Sequence, residues 1–466
     1  MTRDSLAAQP LADIAECLRS SPERVRELEA SVIAARAAQP RHDPTPYREW
    51  RPDILADMQS NAEKLLRSGK AGRLAGLPVS VKDLYGVRGM ETYAGTPKAL
   101  PEKFSREGWL VSLLRQQGAA FTGKTHTVEF AFGGLGVNGH WGCVRNPWDP
   151  AVHRVSGGSS AGAGVSLTEG SALLALGTDT GGSVRIPAAM TGNVGLKTSI
   201  GRWSTDGVTP LSHTLDTVGF LARTVADAAF VFAAIEDTSL PQATGPAGLR
   251  IGCIRQMAFD DCSPGVTENV MAALRKLEAA GATVTEADFP EAETAFDLLC
   301  HSGIPAMELR RFIDAELPDW LQSMDWPVKR RMVGTDTSKV DFYQDRLQAL
   351  ARAVASADAR FADFDVMVCP TVSVTPPAVT DCEEPETYAP YNLRSLRNTA
   401  IGNYLGLCGL TLPVGKDNAG IPVGLQLLAK GGNDRQLLSV GLAVEALLGQ
   451  GADILGPAPG VIIPPR

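Results

Sequence analysis

The 466-residue sequence lacks the features that mark several large classes of protein. Its eight cysteines occur singly, without a CxxC pair, and its six histidines show no metal-ligand spacing such as HExxH. We therefore expect no disulfide framework and no metal, and the scattered thiols predict a reduced, cytoplasmic protein. No uninterrupted apolar run approaches the length of a membrane span, and the residues from Met1 to Ser5 lead into a charged amphipathic stretch, which is not the pattern of a signal peptide.

An excess of basic residues is also missing. The formal net charge is −8, so no positive field is available to engage phosphates, and nucleic acid is not expected as a partner. A hydrophobic content of 44% and a charged content of 21% are typical of a globular protein. The length predicts two or three lobes.

The order of apolar runs and helical patterns predicts an α/β fold with a central, twisted, mixed β-sheet covered by helices on both faces. We divide the chain into four segments. Residues 1–70 form a helical segment that packs on the core, and residues 71–240 form the core itself. Residues 241–360 hold a βαβ unit and a variable helical region on the substrate side. Residues 361–466 complete the sheet. The predicted strands are Leu77–Val81, Ala119–Thr122, Leu173–Leu176, Val194–Lys197, Val218–Ala222, Leu249–Ile254, Ala282–Ala287, Asp365–Cys369, Leu407–Val414 and Ile421–Leu428.

Residues 291–360 have the pattern of amphipathic helices that are rich in large apolar side chains. We interpret them as a helical layer over the sheet, and the alternative is a lid over an apolar substrate pocket. The side chains concerned are Leu298, Leu299, Ile304, Met307, Phe312, Trp320, Leu321, Met324, Trp326 and Met332.

A segment rich in glycine and serine carries more information. It runs from Gly177 to Arg185 and directly follows an apolar, strand-like run, Ala172–Leu176. Glycines let a backbone turn tightly and aim several N–H groups at one point, which the oxyanion of an acyl-transfer reaction requires. A second cluster, Gly157–Ser160, lies upstream, and Lys82 follows the run Leu77–Val81. Two serines and a lysine on such loops predict nucleophilic catalysis without histidine.

Two apparent nucleotide-binding motifs lack the context that they need. Gly118–Thr125 fits the P-loop pattern, but its first glycine ends a predicted helix, Gly108–Gln117, and the residues after it form a strand. Gly134–Gly139 fits GxGxxG but runs into a loop rather than a helix. A nucleotide-binding protein therefore remains only as a third interpretation, which would require measurable ATP binding.

A match to the nucleophile elbow of α/β-hydrolases is also weak. Gly158–Gly162 fits GxSxG with Ser160 at its centre, and His213 or His301 would have to complete the triad. An elbow follows a hydrophobic strand, and residues 150–155 are a poor candidate for one.

Together, three fragments resemble the amidase signature family. They are the stretch from Val79 to Asp83, the stretch from Gly157 to Gly162, and the stretch from Gly181 to Pro187, with Ser183 lying 24 residues after Ser159. The resemblance covers about residues 60–240 and 365–445, the latter through the glycine-rich runs at 406–415 and 420–426.

The resemblance implies a Ser-(cis-Ser)-Lys triad and no cofactor. Ser183 would be the nucleophile, Lys82 the base, and Ser159 the proton relay between them, with a cis peptide bond before Ser159. The implied oxyanion hole consists of backbone N–H groups of Thr180, Gly181, Gly182 and Ser183.

Three charged residues complete the predicted site. Asp179 and Arg185 flank the glycine loop, and we predict an ion pair between them that braces the turn. Asp216 lies in a further stretch that resembles the family, for which a structural role is expected. Since Lys82 must be neutral to accept a proton, we predict that it is desolvated, with activity rising toward alkaline pH.

The resemblance implies an amidohydrolase that cleaves the C–N bond of an amide or a carbamate (urethane). The apolar content of residues 291–360 favours an aryl or apolar substrate. Two alternatives stay open: a hydrolase of small urea-like amides of the biuret or allophanate type, and a partner-dependent protein like the A subunit of the tRNA-dependent amidotransferase. Water is the expected second substrate, and no membrane or nucleic acid is expected as a partner. The resemblance implies a homodimer, although no stretch of the sequence reveals an interface.

Overall fold

The apolar strand runs assemble into one large sheet in the computed structural model, which describes residues 5–40, 44–243 and 245–463. Its eleven strands lie in the order β1-β3-β2-β4-β6-β5-β10-β11-β9-β7-β8. The strands are β1 Tyr47–Trp50, β2 Pro78–Lys82, β3 Ala120–Thr125, β4 Leu174–Asp179, β5 Val194–Lys197, β6 Thr217–Ala222, β7 Arg250–Ile254, β8 Thr283–Ala287, β9 Val366–Pro370, β10 Cys408–Lys416 and β11 Pro422–Ala429.

The sheet is mixed, as predicted. Strands β2 and β7 are each parallel to both of their neighbours, and the remaining pairs of strands are antiparallel. Every predicted segment contributes at least one strand to the sheet. The division of the chain into those four segments stays a prediction.

Helices cover both faces of the sheet, which confirms the predicted fold class. On β4, Leu174 and Leu176 pack into the large core with residues of the helices Val225–Ile235 and Asp434–Leu448. Ala175, in contrast, packs against Ala163 and Ala188 of two other helices. The helices are α1 Leu11–Ser20, α2 Val25–Ala38, α3 Pro52–Arg67, α4 Trp109–Gln116, α5 Ala161–Thr168, α6 Arg185–Thr191, α7 Val225–Ile235, α8 Val266–Ala279, α9 Glu291–His301, α10 Ile304–Glu316, α11 Trp326–Val333, α12 Val340–Arg360, α13 Pro385–Tyr404, α14 Asp434–Leu448 and α15 Gly451–Leu455.

The parallel pairing of β2 with β4 decides where the chemistry lies. Val81 is opposite Leu176, so both strands reach the same edge of the sheet with their carboxyl ends. Lys82 ends β2 there, and the glycine loop leaves the end of β4. The antiparallel strand β6 begins at the same edge, since Thr217 pairs with Asp179. Residues from three strands therefore meet at one point.

Three helices (α6, α13 and α15) and one strand (β1) were not expected from the sequence. Helix α13 begins at Pro385, contains Pro390, and is buried almost continuously from Arg397 to Tyr404, so it shows no amphipathic period. Helix α6 is short and contains Pro187, and β1 follows a proline-rich stretch. The local hydrophobic patterns of these elements are too weak to predict them, because their structure depends on tertiary packing.

The P-loop match at Gly118–Thr125 lacks the order of strand, loop and helix that a P-loop needs. Gly118 has a φ of +87° and follows the end of α4. The last six residues of the match, Ala120–Thr125, form β3 instead of opening a helix. One stretch, Asp434–Leu455, has the length and hydropathy of a membrane span. Its first helix, α14, packs Leu437, Leu438 and Val444 into the main core, as an internal helix of a globular protein does.

Candidate active site

Lys82 is held inside the protein at the end of β2 by two hydroxyl groups. Its Nζ lies 2.8 Å from Ser159 Oγ and 2.7 Å from Thr178 Oγ1. The side chain is fully buried. Burial lowers the pKa of Lys82 to about 7, although the nearby carboxylates of Asp216 and Asp179 act in the opposite direction. A substantial fraction of the amine is therefore neutral near neutral pH.

Ser159 lies in the turn before α5, and the peptide bond between Gly158 and Ser159 is cis. Its neighbour Ser160 donates its backbone N–H to the carbonyl oxygen of Ser183 at 3.4 Å, so the two serine-bearing segments run side by side. Lys82, Ser159 and the backbone of Ser183 are thus brought together from three separate parts of the chain.

Ser160 itself does not have the surroundings of a nucleophile. It is buried, and its Oγ lies against Gly177 of β4. The two histidines that could have completed its triad have other partners, because His213 contacts Glu308 and the exposed His301 contacts Asp297. The nucleophile-elbow interpretation is therefore not supported.

The loop after β4 presents free backbone amides. Within the described residues, no group accepts a hydrogen bond from the N–H groups of Gly181, Gly182 or Ser183. Thr399 Oγ1 of α13 donates to the carbonyl oxygen of Gly181 at 2.7 Å and so fixes the plane of the next peptide. Gly182 has a φ of +136°, and a Cβ there would lie 2.1 Å from Thr399 Oγ1, which explains the need for glycine. The arrangement suits binding of a negatively charged oxygen.

The predicted ion pair between Asp179 and Arg185 is present below this loop. Arg185 donates from Nη2 to Asp179 Oδ1 at 2.9 Å and from Nε to Oδ2 at 3.1 Å, and both side chains are fully buried. Burial alone would raise the pKa of Asp179, but Arg185 lowers it to about 2. Asn403 and Gln426 accept the remaining hydrogen bonds of Arg185 at 2.6 and 2.7 Å. The loop is therefore fixed to α13 and β11.

Asp216 closes the other side of the loop. Its Oδ1 accepts a hydrogen bond from Thr180 Oγ1 at 2.6 Å, and its Oδ2 accepts from the backbone N–H groups of Leu211 and Ser212. Burial raises the pKa of Asp216 to about 6. The expected structural role fits these contacts, and the carboxylate also acts electrostatically on Lys82.

A cavity of about 410 Å³ opens onto Ser183. Its walls are mostly apolar, and Arg331 and Asn392 supply polar side chains. The lining residues are Ala131, Phe132, Gly133, Thr180, Gly181, Ser183, Leu211, Leu299, Cys300, Gly303, Pro305, Ala306, Arg331, Ala389, Asn392, Leu393, Leu396 and Tyr404.

Residues 291–360 contribute both to a hydrophobic cluster and to the cavity wall, and their interpretation as a lid stays a prediction. The large side chains Trp320, Met324 and Met332 lie in a hydrophobic cluster of their own rather than in the cavity wall. The turn between α9 and α10 does line the cavity, through small residues such as Gly303 and Ala306. The cavity is apolar, but not because of the tryptophans and methionines on which the prediction was based.

Sequence reasoning missed Thr178, Thr399, Asn403 and Arg331. Thr178 lies one residue before Asp179, within the glycine-rich segment. The alternation of side chains between the two faces of β4 was the one signal that could have identified it. The other three lie on helices far along the chain, where no local pattern marks them.

The chain is similar to known proteins over most of its length. The Amidase family model matches residues 51–438. The chain is 47% identical over 442 residues to 2-amino-5-chloromuconic acid deaminase of Comamonas testosteroni, covering 93% of this chain and 96% of that one. It is 33% identical to the A subunit of glutamyl-tRNA(Gln) amidotransferase of Acidothermus cellulolyticus, covering 82% of this chain and 83% of that one.

A solved crystal structure of an amidase superimposes with a TM-score of 0.83 at 29% identity, covering 95% of this chain and 100% of that one. The family model and the relatives each span most of the sequence. The chain therefore belongs to the amidase family, and the prediction of an enzyme that hydrolyses carbon–nitrogen bonds is confirmed.

Proposed function

We propose that this enzyme hydrolyses a small amide or carbamate with an apolar body through an acyl-enzyme formed on Ser183. The observation that carries the proposal is the 2.8 Å contact between the buried amine of Lys82 and Ser159 Oγ, beside the segment that bears Ser183. A buried lysine whose partners are hydroxyl groups can be neutral and can take up a proton.

The chemical steps follow from this contact. Ser183 Oγ attacks the carbonyl carbon while its proton passes to Ser159, and the proton of Ser159 passes to Lys82 Nζ. The tetrahedral intermediate then collapses, the C–N bond breaks, and the proton returns from Lys82 through Ser159 to the leaving nitrogen. Water attacks the acyl-enzyme by the same proton route and releases the acid.

The oxyanion of the intermediate would be held by backbone N–H groups of the loop 180–183. Their lack of other acceptors among the described residues supports this role, because preorganised donors need not be released from another partner as charge develops. Asp179, Arg185 and Asp216 would act as positioning residues that keep these donors in place.

The cavity wall restricts the substrate. Leucine side chains form much of it, which favours an alkyl or aryl body. Arg331 stacks on the ring of Phe132 at 4.6 Å and donates to the carbonyl oxygen of Phe132, and no carboxylate in the described chain pairs with it. Asn392 uses its Oδ1 to accept from Gly134 and Tyr388. Arg331 also forms a side-chain hydrogen bond with Tyr388, which leaves its other N–H groups and Nδ2 of Asn392 for a ligand. We therefore infer that the substrate carries a carboxylate or another acceptor at its far end.

Other substrates of the same site differ in what they would require. A urea-like substrate would need polar groups around its whole surface, and the leucine-rich wall does not supply them. Release of an amino group from an unsaturated amino acid is the second candidate, because the relative with 47% identity is named as a deaminase of such an acid. Both the amide with a terminal carboxylate and the unsaturated amino acid would place a carboxylate against Arg331.

A panel of substrates tests the proposal directly. Anilides, aryl carbamates, primary amides and biuret are incubated with the purified protein, each organic amide with and without a terminal carboxylate, and released amine is measured. Turnover of carboxylate-bearing amides by the protein alone is the expected result. Turnover that requires an added partner protein would favour the amidotransferase alternative, and turnover of biuret alone would overturn the substrate class. A homodimer and a cytoplasmic location remain predictions.

Replacing Arg331 with methionine is expected to raise KM for carboxylate-bearing substrates about 10- to 100-fold, because a charge-assisted hydrogen bond is lost. The KM of uncharged analogues should change only about twofold. Arg330→Met is the matched control, since Arg330 is exposed on the same helix and does not line the cavity. Equal effects of the Arg331 substitution on charged and neutral substrates would contradict the carboxylate assignment.

The pH dependence of the acylation rate should report the Lys82 amine. Only the neutral form accepts a proton, so kcat/KM should rise with pH around the lowered pKa of about 7 and then level off. Well below that midpoint we expect a loss of about tenfold for each pH unit. The profile is measured under single-turnover conditions, with circular dichroism showing that the fold persists across the range. A flat profile down to acidic pH would contradict a lysine base.

A further inference from the structure

Glu308 is a buried carboxylate on α10 that the proposed chemistry does not use. One of its oxygens accepts hydrogen bonds from Thr214 Oγ1 and, at 2.6 Å, from the hydroxyl of Tyr343. The other accepts from Ser212 Oγ. His213 Nε2 lies 3.2 Å from the first oxygen, at the surface. A single carboxylate thus gathers four side chains from a loop and a neighbouring helix.

The loop that Glu308 holds is part of the candidate site. It runs from Leu211, which lines the cavity, to Asp216, which accepts the hydrogen bond from Thr180. The backbone N–H groups of Leu211 and Ser212 both donate to Asp216 Oδ2, so the loop folds around that carboxylate. A shift of Ser212 would therefore move both the cavity wall and the group beside the glycine loop.

The helix that carries Glu308 also forms part of the cavity. Pro305 and Ala306, in the first turn of α10, line it together with Leu211 of the loop. Tyr343 belongs to α12, and burial together with the Glu308 carboxylate raises the pKa of its hydroxyl to about 12, so it stays a donor at physiological pH. Glu308 is accordingly the point at which α10, α12 and the 211–216 loop are joined.

We propose that Glu308 is a positioning residue, which sets the distance between the cavity wall on α10 and the loop that holds Asp216 against Thr180. The inference rests on the proposed function, because it concerns the geometry around Ser183. It assigns to the variable helical segment a role in aligning the glycine loop as well as in shaping the cavity. Its hydrogen bonds are all made to hydroxyl and N–H donors, which a carboxylate accepts and an alanine cannot.

The test uses Glu308→Ala, Glu308→Gln and Tyr343→Phe, with Glu316→Gln as the control on the same helix. Glu316 is exposed and pairs with Lys103, away from the cavity. Active sites are counted by labelling with a fluorophosphonate, which reacts covalently with an activated serine. The rate constant of labelling, kcat and KM are then expressed per active site, so that a merely less stable protein shows fewer sites but unchanged constants.

We expect Glu308→Ala to slow labelling and to lower kcat/KM about 10- to 100-fold per site, because small displacements of reacting groups have effects of this size. Both kcat and KM should change, since the loop and the wall move together. Glu308→Gln keeps one acceptor oxygen and should recover most of the loss, Tyr343→Phe should cost about threefold, and Glu316→Gln should match the wild type.

Two results would overturn the inference: unchanged constants per site in Glu308→Ala, or a loss in the glutamine variant as large as in the alanine variant. These results differ from failure of the proposed function. If wild-type Ser183 were not labelled at all, the acyl-enzyme proposal would fail. If it were labelled at the same rate in every variant, only the role of Glu308 would fail.

Discussion

Replacing Ser183 with alanine is expected to lower kcat about 10⁴-fold or more while the protein stays folded, because the atom that forms the acyl-enzyme is removed. Ser183 lies at the cavity surface, and its side chain is not part of the hydrophobic core. Residual turnover should be limited to what the amides of the loop and the binding of substrate provide.

The matched control is Ser160→Ala. Ser160 lies near Ser183 and is also buried, and its Oγ has no hydrogen-bond partner among the described residues. We expect it to keep activity within about tenfold of the wild type, because no proton needs to pass through it. Kinetics of both variants, with mass spectrometry of the fluorophosphonate adduct, measure the difference. An adduct on Ser160, or equal losses in the two variants, would return the nucleophile elbow to consideration.

Replacing Lys82 with methionine is the second large effect, with an expected loss in kcat/KM of about 10³- to 10⁴-fold. Methionine fills a similar volume but cannot take the proton from Ser159. The substitution also removes the group that titrates, so the pH dependence near the lysine pKa of about 7 should disappear from the residual activity. Single-turnover rates of the variant across this range provide the measurement.

Lys197→Met serves as the comparison for Lys82→Met. Lys197 is also fully buried at the end of a strand, and burial lowers its pKa to about 8, but it donates only to the carbonyl oxygens of Thr198 and Leu407 among the described residues. Its loss leaves two buried acceptors unpaired, which costs about 1–3 kcal/mol of folding free energy each. We expect lower thermal stability and nearly unchanged activity per folded site. A similar loss of activity in both lysine variants would mean that burial, rather than proton transfer, explains the effect at Lys82.

The sequence allowed the fold class and the main candidates of the site to be predicted, because both are encoded locally. Strands such as Leu174–Asp179 contain short apolar runs, and the loop that follows can be recognised from its glycine and serine content. Lys82 could be singled out because it directly follows such a run. The resemblance to a known family then assigned roles to Ser159 and Ser183 that spacing alone would not have supplied.

The supporting groups could not be predicted because they come from distant parts of the chain. Thr399 and Asn403 lie more than 200 positions after the loop that they hold, on a helix whose continuous burial hides its period. Gln426 was within a recognised stretch, but its contact with Arg185 depends on the position of β11 in the sheet. Long-range packing, which leaves no local pattern, determines these contacts.

The hydrogen bonds of Arg185 have a consequence for synthesis of the protein. The guanidinium needs Asp179, which is close to it in sequence, and also Asn403 and Gln426, which are synthesised more than 200 residues later. A chain that contains Lys82, Ser159 and Ser183 but ends before Asn403 therefore lacks two of the acceptors that hold the Arg185 guanidinium under the glycine loop. We expect such a truncated chain to be inactive, because its glycine loop is no longer fixed to α13 and β11.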